Sequence, residues 1–161
     1  MNLFFQFTLL GVLLASLIAG FVFLKSRKPN NSAYKYALGL AIGGAFLLFW
    51  INGAVGLIGS ENNDVNMMYP LLIVLLFLGS FIVKFQPRGM SFILRMAAVA
   101  QVIIPIVAVS IGLGSGQPGW PWFITIITAF FTTLWAGSAT LFIKAHVFEG
   151  QKSEDSEKEV S

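Results

Sequence analysis

Almost the whole chain reads as long apolar stretches separated by short polar breaks. Five such stretches cover residues 3–24, 34–59, 67–85, 90–113 and 120–143. Each has about the 20 residues that a helix needs to cross a hydrocarbon core of about 30 Å. None alternates polar with apolar positions in segments of about 10 residues, as membrane β-strands do. The pattern therefore predicts an all-α fold, a polytopic transmembrane helical bundle of five spans within residues 1–147. The first stretch has no Lys or Arg ahead of it and exceeds the roughly 7–15 apolar residues of a signal peptide, so it reads as a retained helix. Residues 148–161 contain EGQKSEDSEKEVS, which is polar and without apolar periodicity. That composition predicts a disordered cytoplasmic tail.

Charge orients the bundle. Lys25, Arg27, Lys28 and Lys35 flank the first connection, Lys84, Arg88 and Arg95 the third, and Lys144, Lys152 and Lys158 follow the last span. The second and fourth connections carry no basic residue. With five spans, the positive-inside rule puts the N-terminus outside and the C-terminus in the cytoplasm. Tyr34 and Tyr36 then mark the inner interface, and Tyr69, Trp120 and Trp122 the outer one. Asn30-Asn31-Ser32 matches a glycosylation sequon but falls on the cytoplasmic side, where it is not used.

Composition narrows the chemistry. Hydrophobic residues make up 57% of the 161 positions and charged residues 11%. A water-soluble domain carries about 25% charged residues, so this chain lacks the means to cover a surface in water. The expected setting is a bacterial cytoplasmic (inner) membrane, with the lipid bilayer as first partner. The net charge of +3 follows from the basic loops, and no nucleic-acid partner is expected. There is no cysteine and one histidine, His146. Disulfides, thiolate chemistry and cysteine-held metals are excluded, and no cofactor or metal is expected. The odd number of spans and the lack of an internal repeat speak against an inverted-repeat transporter.

Small residues at helical spacing predict which faces meet. In the fourth span these are Ala97, Gln101, Pro105, Ala108 and Gly112; in the fifth, Thr125, Thr128, Ala129, Thr132, Ala136 and Ala139. The first span has a shorter set in Thr8, Gly11, Ala15 and Ala19. The second carries Gly39 and Gly43 on one face and Asn52, Gly56 and Gly59 nearly opposite, which predicts two neighbours and a central place. The third is uniformly aliphatic and suits lipid. Gln101, deep in its span, is a candidate intramembrane polar contact with Thr125 or Thr132; a ligand contact is the sharper alternative. Pro105 leaves the Gln101 carbonyl without its helical partner. Arg95 can snorkel to the cytoplasm.

The stretch after Trp50 turns from glycine-rich to polar at Ser60. It offers Asn52, Glu61, Asn63, Asp64, Asn66 and Tyr69 as candidate outer-loop residues. Read from Asn62 as a calcium loop, it has Met67 where glycine is needed and Ile73 where glutamate is needed, so that pattern fails. Glu61 and Asp64 are a candidate pair for acid–base work, but no nucleophile accompanies them. A capped turn is the economical reading, with Gly59 ending one helix and Ser60 or Asn63 starting the next. A binding or assembly surface and a catalytic site remain as alternatives.

Trp50, Asn52, Ala54-Val55-Gly56, Ile58-Gly59-Ser60-Glu61, Asn63, Asn66 and Met68-Tyr69, followed by Phe85, Pro87, Arg88, Gly89 and Met90, form two motifs. They resemble those of a family of small, uncharacterised bacterial integral membrane proteins, approximately W-x-N-x-A-V-G-I-I-G-S-E-D-N-P-A-N-L-M-Y and then F-x-P-R-G-M. Asp64-Val65 stands where that pattern has Pro-Ala, and the first span is an addition. The resemblance implies a helical membrane fold and brings no activity with it. Within the second motif, Gln86-Pro87-Arg88-Gly89 reads as a tight cytoplasmic turn. The expected function is that of a non-enzymatic accessory or structural membrane protein, partnered by a second copy or another membrane protein. A small oligomeric transporter or channel is one alternative, although no acidic or basic side chain lies at depth. A membrane enzyme with an outer-facing site at Glu61, Asp64 and Tyr69 is the other.

Overall fold

The structure, a computed structural model, describes residues 20, 31–58, 64–113 and 120–160. The predicted first span, residue 20 apart, lies outside them, as do Glu61 and Asn63. The described residues are helical and contain no strand. Helix α1 is Ser32–Val55, a 3-10 turn is Asp64–Met67, α2 is Met68–Ile82, α3 is Pro87–Ser110 and α4 is Trp122–Val160. Three of them, α1, α3 and α4, are long and apolar enough to cross a membrane. Their outer faces agree: Leu47, Trp50, Val99, Ile103, Ile106 and Ile126 are exposed. Apolar surface on that scale is stable only against lipid or another protein.

Each helix ends where local chemistry requires. Asn31 caps α1, its side-chain oxygen accepting the Tyr34 N–H at 3.1 Å. At the other end Gly56 has φ +64°, and its N–H donates to the Asn52 carbonyl at 3.1 Å. The helix therefore stops four residues before Gly59, at a glycine, which takes that conformation cheaply. The predicted span 67–85 shortens to α2 for a similar reason. Lys84, at φ +52°, donates its N–H to the Phe81 carbonyl at 2.9 Å, and Phe85 donates to Ser80 at 3.0 Å. This is a Schellman motif with lysine in the left-handed position usually given to glycine. The same motif ends α3, where the Gly112 N–H reaches Val109 at 3.0 Å and the Leu113 N–H reaches Ala108 at 2.9 Å. Gly112 is thus a helix terminator at φ +75°, exposed, and does not extend the packing stripe.

Among the described helices α4 lies between α1 and α3, and its pairing with α3 is the most extensive. Helix α1 meets two described neighbours, α4 and α2, as expected, while its expected central place involves the first span, which lies outside the described residues. On α3 the expected face is the buried one: Ala97, Gln101, Pro105 and Ala108 all point inward, joined by Met90, Leu94 and Ala98. On α4 half of the expected small-residue stripe is wrong: Thr125, Ala129 and Ala136 are exposed, while Thr128, Thr132 and Ala139 are not. The buried face is Ile124, Phe131, Trp135, Ser138, Ala139, Phe142 and Ala145. The reason is complementarity. With Ala37, Ala41 and Gly44 on α1 and the alanines on α3 facing it, α4 has to supply the bulk that fills the space between them. Gly44 shows this directly, since a Cβ there would sit 3.1 Å from the Trp135 ring. Gly39 and Gly43 would meet nothing within 4 Å, so neither marks a close approach.

Since Ala108 is 1% exposed, Ala108→Leu should lower stability by about 1–3 kcal/mol through overpacking. A detergent melting curve unchanged from the wild type would mean that Ala108 does not face α4.

The C-terminal segment also departs from expectation. Helix α4 runs on to Val160 as one helix of 39 residues, so residues 148–160 are helical, while residues 151–159 remain exposed on every side. Composition correctly denied this segment a core, but it does not forbid a helix. Glu, Gln and Lys are good helix formers, Glu154 precedes Lys158 by one favourable turn, and no proline interrupts. The Ser153 and Ser156 hydroxyls donate to carbonyls four residues back, at 3.0 and 2.9 Å.

Candidate functional site: a latched outer loop and a buried polar face

Two groups of buried polar residues lie among the helices, one at the α1–α2 connection and one between α3 and α4. In the first, Asn52 sits one turn before the end of α1 and is buried. Its amide nitrogen donates to the Asn66 carbonyl at 3.0 Å. The Asn66 side chain in turn accepts the Ile58 N–H at 2.7 Å and donates to the Ile58 carbonyl at 3.5 Å. Leu57 and Ile58 are drawn fully inside. Two asparagine amides thus latch the chain leaving α1 to the chain entering α2, and both are spent on backbone groups that burial would otherwise leave unmet.

The remaining loop candidates divide. Tyr69 is 0% exposed and its hydroxyl has no partner among the described residues, so it presents no phenol to an outer surface. Asp64 opens the 3-10 turn. The expected cap on α2 is replaced: Met67 occupies the N-cap position without a side-chain bond, because the 3-10 turn carries the backbone into the helix. Among the described residues no group of His, Cys, Asp and Glu is placed to hold a metal.

In the second group, Gln101 is 0% exposed, yet neither its amide oxygen nor its nitrogen has a hydrogen-bond partner among the described residues. The expected bond to a threonine of α4 is not made. Thr125 turns outward and donates to the Pro121 carbonyl, just ahead of its helix, at 3.0 Å. Thr132 turns inward, and so does Thr128; both hydroxyls are buried and unpartnered. The Trp135 indole nitrogen, three residues beyond Thr132 and on the same face of α4, is in the same position.

A third polar group escaped the sequence reading. The Asn31 amide nitrogen donates to the Ala145 carbonyl at 3.0 Å and to Glu149 at 3.3 Å. The Tyr34 hydroxyl donates to the Phe85 carbonyl at 2.9 Å, its ring meeting Phe142 edge-on with centroids 5.2 Å apart. Ser138 donates to the Ala37 carbonyl at 2.6 Å. Together they tie α1 and the α2–α3 turn to α4. The capping signal of an asparagine just ahead of an apolar helix was present at Asn31. Nothing in the sequence, however, marks Tyr34 as buried. No family model, no curated protein and no solved structure matches this chain.

Proposed function

We propose that this protein is a non-enzymatic accessory or structural subunit of a bacterial cytoplasmic membrane, working by holding a partner. The observation that carries this reading is the continuity of α4. Its 39 residues amount to about 58 Å at 1.5 Å per residue, against a hydrocarbon core of about 30 Å. With the basic residues inside, the surplus projects into the cytoplasm as a rigid arm. The arm carries Glu149, Glu154, Asp155, Glu157 and Glu159 against Lys152 and Lys158, so an anionic inner leaflet repels it. A contact on the arm acts directly on the helix packed between α1 and α3.

Truncation after Val147 tests the arm. The full chain, purified in mild detergent, should bring a stoichiometric partner identified by mass spectrometry, and the truncated chain should lose it while melting normally. Recovery of the full chain alone, repeatedly, would sink the accessory role. The orientation has its own test. Reporter fusions after Val147 and after Ile58 should report opposite sides of the membrane, because every Lys and Arg then lies inside. The same side for both would rule out the five-span topology.

A further inference from the structure

We propose that the α3–α4 interface holds a binding site, midway along these apolar helices, for a small uncharged molecule that both donates and accepts hydrogen bonds. The threonines of α4 make the case. Thr125, Thr133 and Thr140 are exposed, and each satisfies its hydroxyl by donating to the carbonyl four residues back, at 3.0, 2.8 and 2.8 Å. That bond is the usual refuge of a hydroxyl on a helix in apolar surroundings. Thr128 and Thr132, the two that face inward, do not take it, and their buried hydroxyls have no partner among the described residues. A carbonyl four residues back is equally within reach of both. Their hydroxyls are aimed instead at the interior.

Gln101 and Trp135 add to the same face. Both amide atoms of Gln101 are unpartnered at 0% exposure, and so is the indole nitrogen of Trp135. The six-membered ring of Trp135 rests on Gly44 of α1, which leaves its N–H at the opposite edge of the indole. Helices α3 and α4 are consecutive and antiparallel. Gln101 lies nine residues before the end of α3, and Thr128 and Thr132 lie six and ten residues after the start of α4. The three therefore share a level. From Thr128 to Trp135 the strip extends about 10 Å along α4.

The chemistry of the occupant follows from what the strip offers and what it lacks. It offers donors in the amide, the indole and the hydroxyls, and acceptors in the amide and the hydroxyls. It offers no charge: residues 96–143 include no Asp, Glu, Lys, Arg or His. An ion there would go unneutralised, and an apolar molecule would leave all five polar atoms unmet. Only an uncharged donor–acceptor molecule fits both facts. Water is its smallest member, and polyol- or urea-sized solutes are the next. The site stands on these atoms alone and is independent of the partner-holding role of the cytoplasmic arm.

The test reads the Trp135 indole N–H in the full chain, with Trp50, Trp120 and Trp122 changed to Phe and the indole labelled with nitrogen-15, in lipid nanodiscs. Water is probed by deuterium exchange, and neutral solutes by titration with urea and with glycerol. The N–H should exchange readily despite its burial. A solute-dependent shift as well would assign the site to an organic solute, and exchange without a shift would assign it to water. Gln101→Leu combined with Thr132→Val should slow exchange or weaken solute binding about tenfold, as for one lost hydrogen bond to the occupant. The proposal is overturned if the N–H neither exchanges nor shifts. It is equally overturned if the N–H is bonded to a side chain elsewhere in the chain, or if the double variant changes nothing but raises the melting temperature.

Discussion

Gly89→Ala is expected to cost about 3 kcal/mol, at the upper end for a single added methyl group. Gly89 sits in the first turn of α3, directly after the reversal from α2. A Cβ there would lie 2.5 Å from the Cβ of Val83, 2.8 Å from its Cγ1 and 3.0 Å from its Cγ2. The nearest of these atoms is fixed to the backbone and cannot swing away, so the two helix ends themselves must part. The turn has little room to give. Lys84 and Phe85 both hold positive φ, +52° and +55°, and the Phe85 carbonyl is tied to Tyr34 at 2.9 Å. Gln86 then donates to Val83 and accepts from Met90, at 3.0 and 2.9 Å. A double-mutant cycle isolates the contact. Combined with Gly89→Ala, Val83→Ala should recover little, because its Cβ remains. Val83→Gly should recover most of the loss beyond its own cost. Melting of Gly89→Ala at the wild-type temperature would show that the α2–α3 approach is looser than this geometry.

The F-x-P-R-G-M segment was legible as a tight turn from proline and glycine alone, but the purpose of its glycine was not. Pro87 does stand at the start of α3, as its fixed φ favours. Gly89, read from sequence as part of the turn, lies inside the helix and serves close approach, a matter of where Val83 arrives from the preceding element. The same distinction runs through the fold. Apolar run length located every described helix, and the α3 stripe of Ala97, Gln101, Pro105 and Ala108 was read correctly. The α4 face was read only in half, because a packing face can be built of small residues or of the large ones that fill them. Choosing between these requires knowing that Trp135 meets Gly44. Among the site candidates, Asn52 and Asn66 were recognisable as unusual polar residues in an apolar setting. Their geometry was invisible, since the partner of each is backbone, and backbone leaves no trace in composition. Thr125 and Thr132 were indistinguishable by type and differ only by which way the helix turns them.

Asn66→Ala is expected to be nearly as damaging, at about 2–4 kcal/mol, for an electrostatic and not a steric reason. Its amide closes a two-way bond on Ile58, accepting the N–H at 2.7 Å and donating to the carbonyl at 3.5 Å. Ile58 is 0% exposed, so alanine leaves a buried backbone donor and acceptor with no water to replace the lost partner. Each such group costs roughly 1–3 kcal/mol. Asn52→Ala removes only the single bond to the Asn66 carbonyl, at 3.0 Å, and should cost about half as much. The ordering matters more than either value. A loop whose purpose is to join two helices should show the Asn66 variant melting below the Asn52 variant, and both losing partner recovery only as far as they lose fold. Hydrogen exchange at the Ile58 amide supplies the local check: expected to be slow in the wild type, it should become fast in Asn66→Ala before α1 is affected. If Asn66→Ala leaves both melting and that exchange unchanged while partner recovery disappears, the latch is not structural. The α1–α2 connection would then be the surface through which this protein acts.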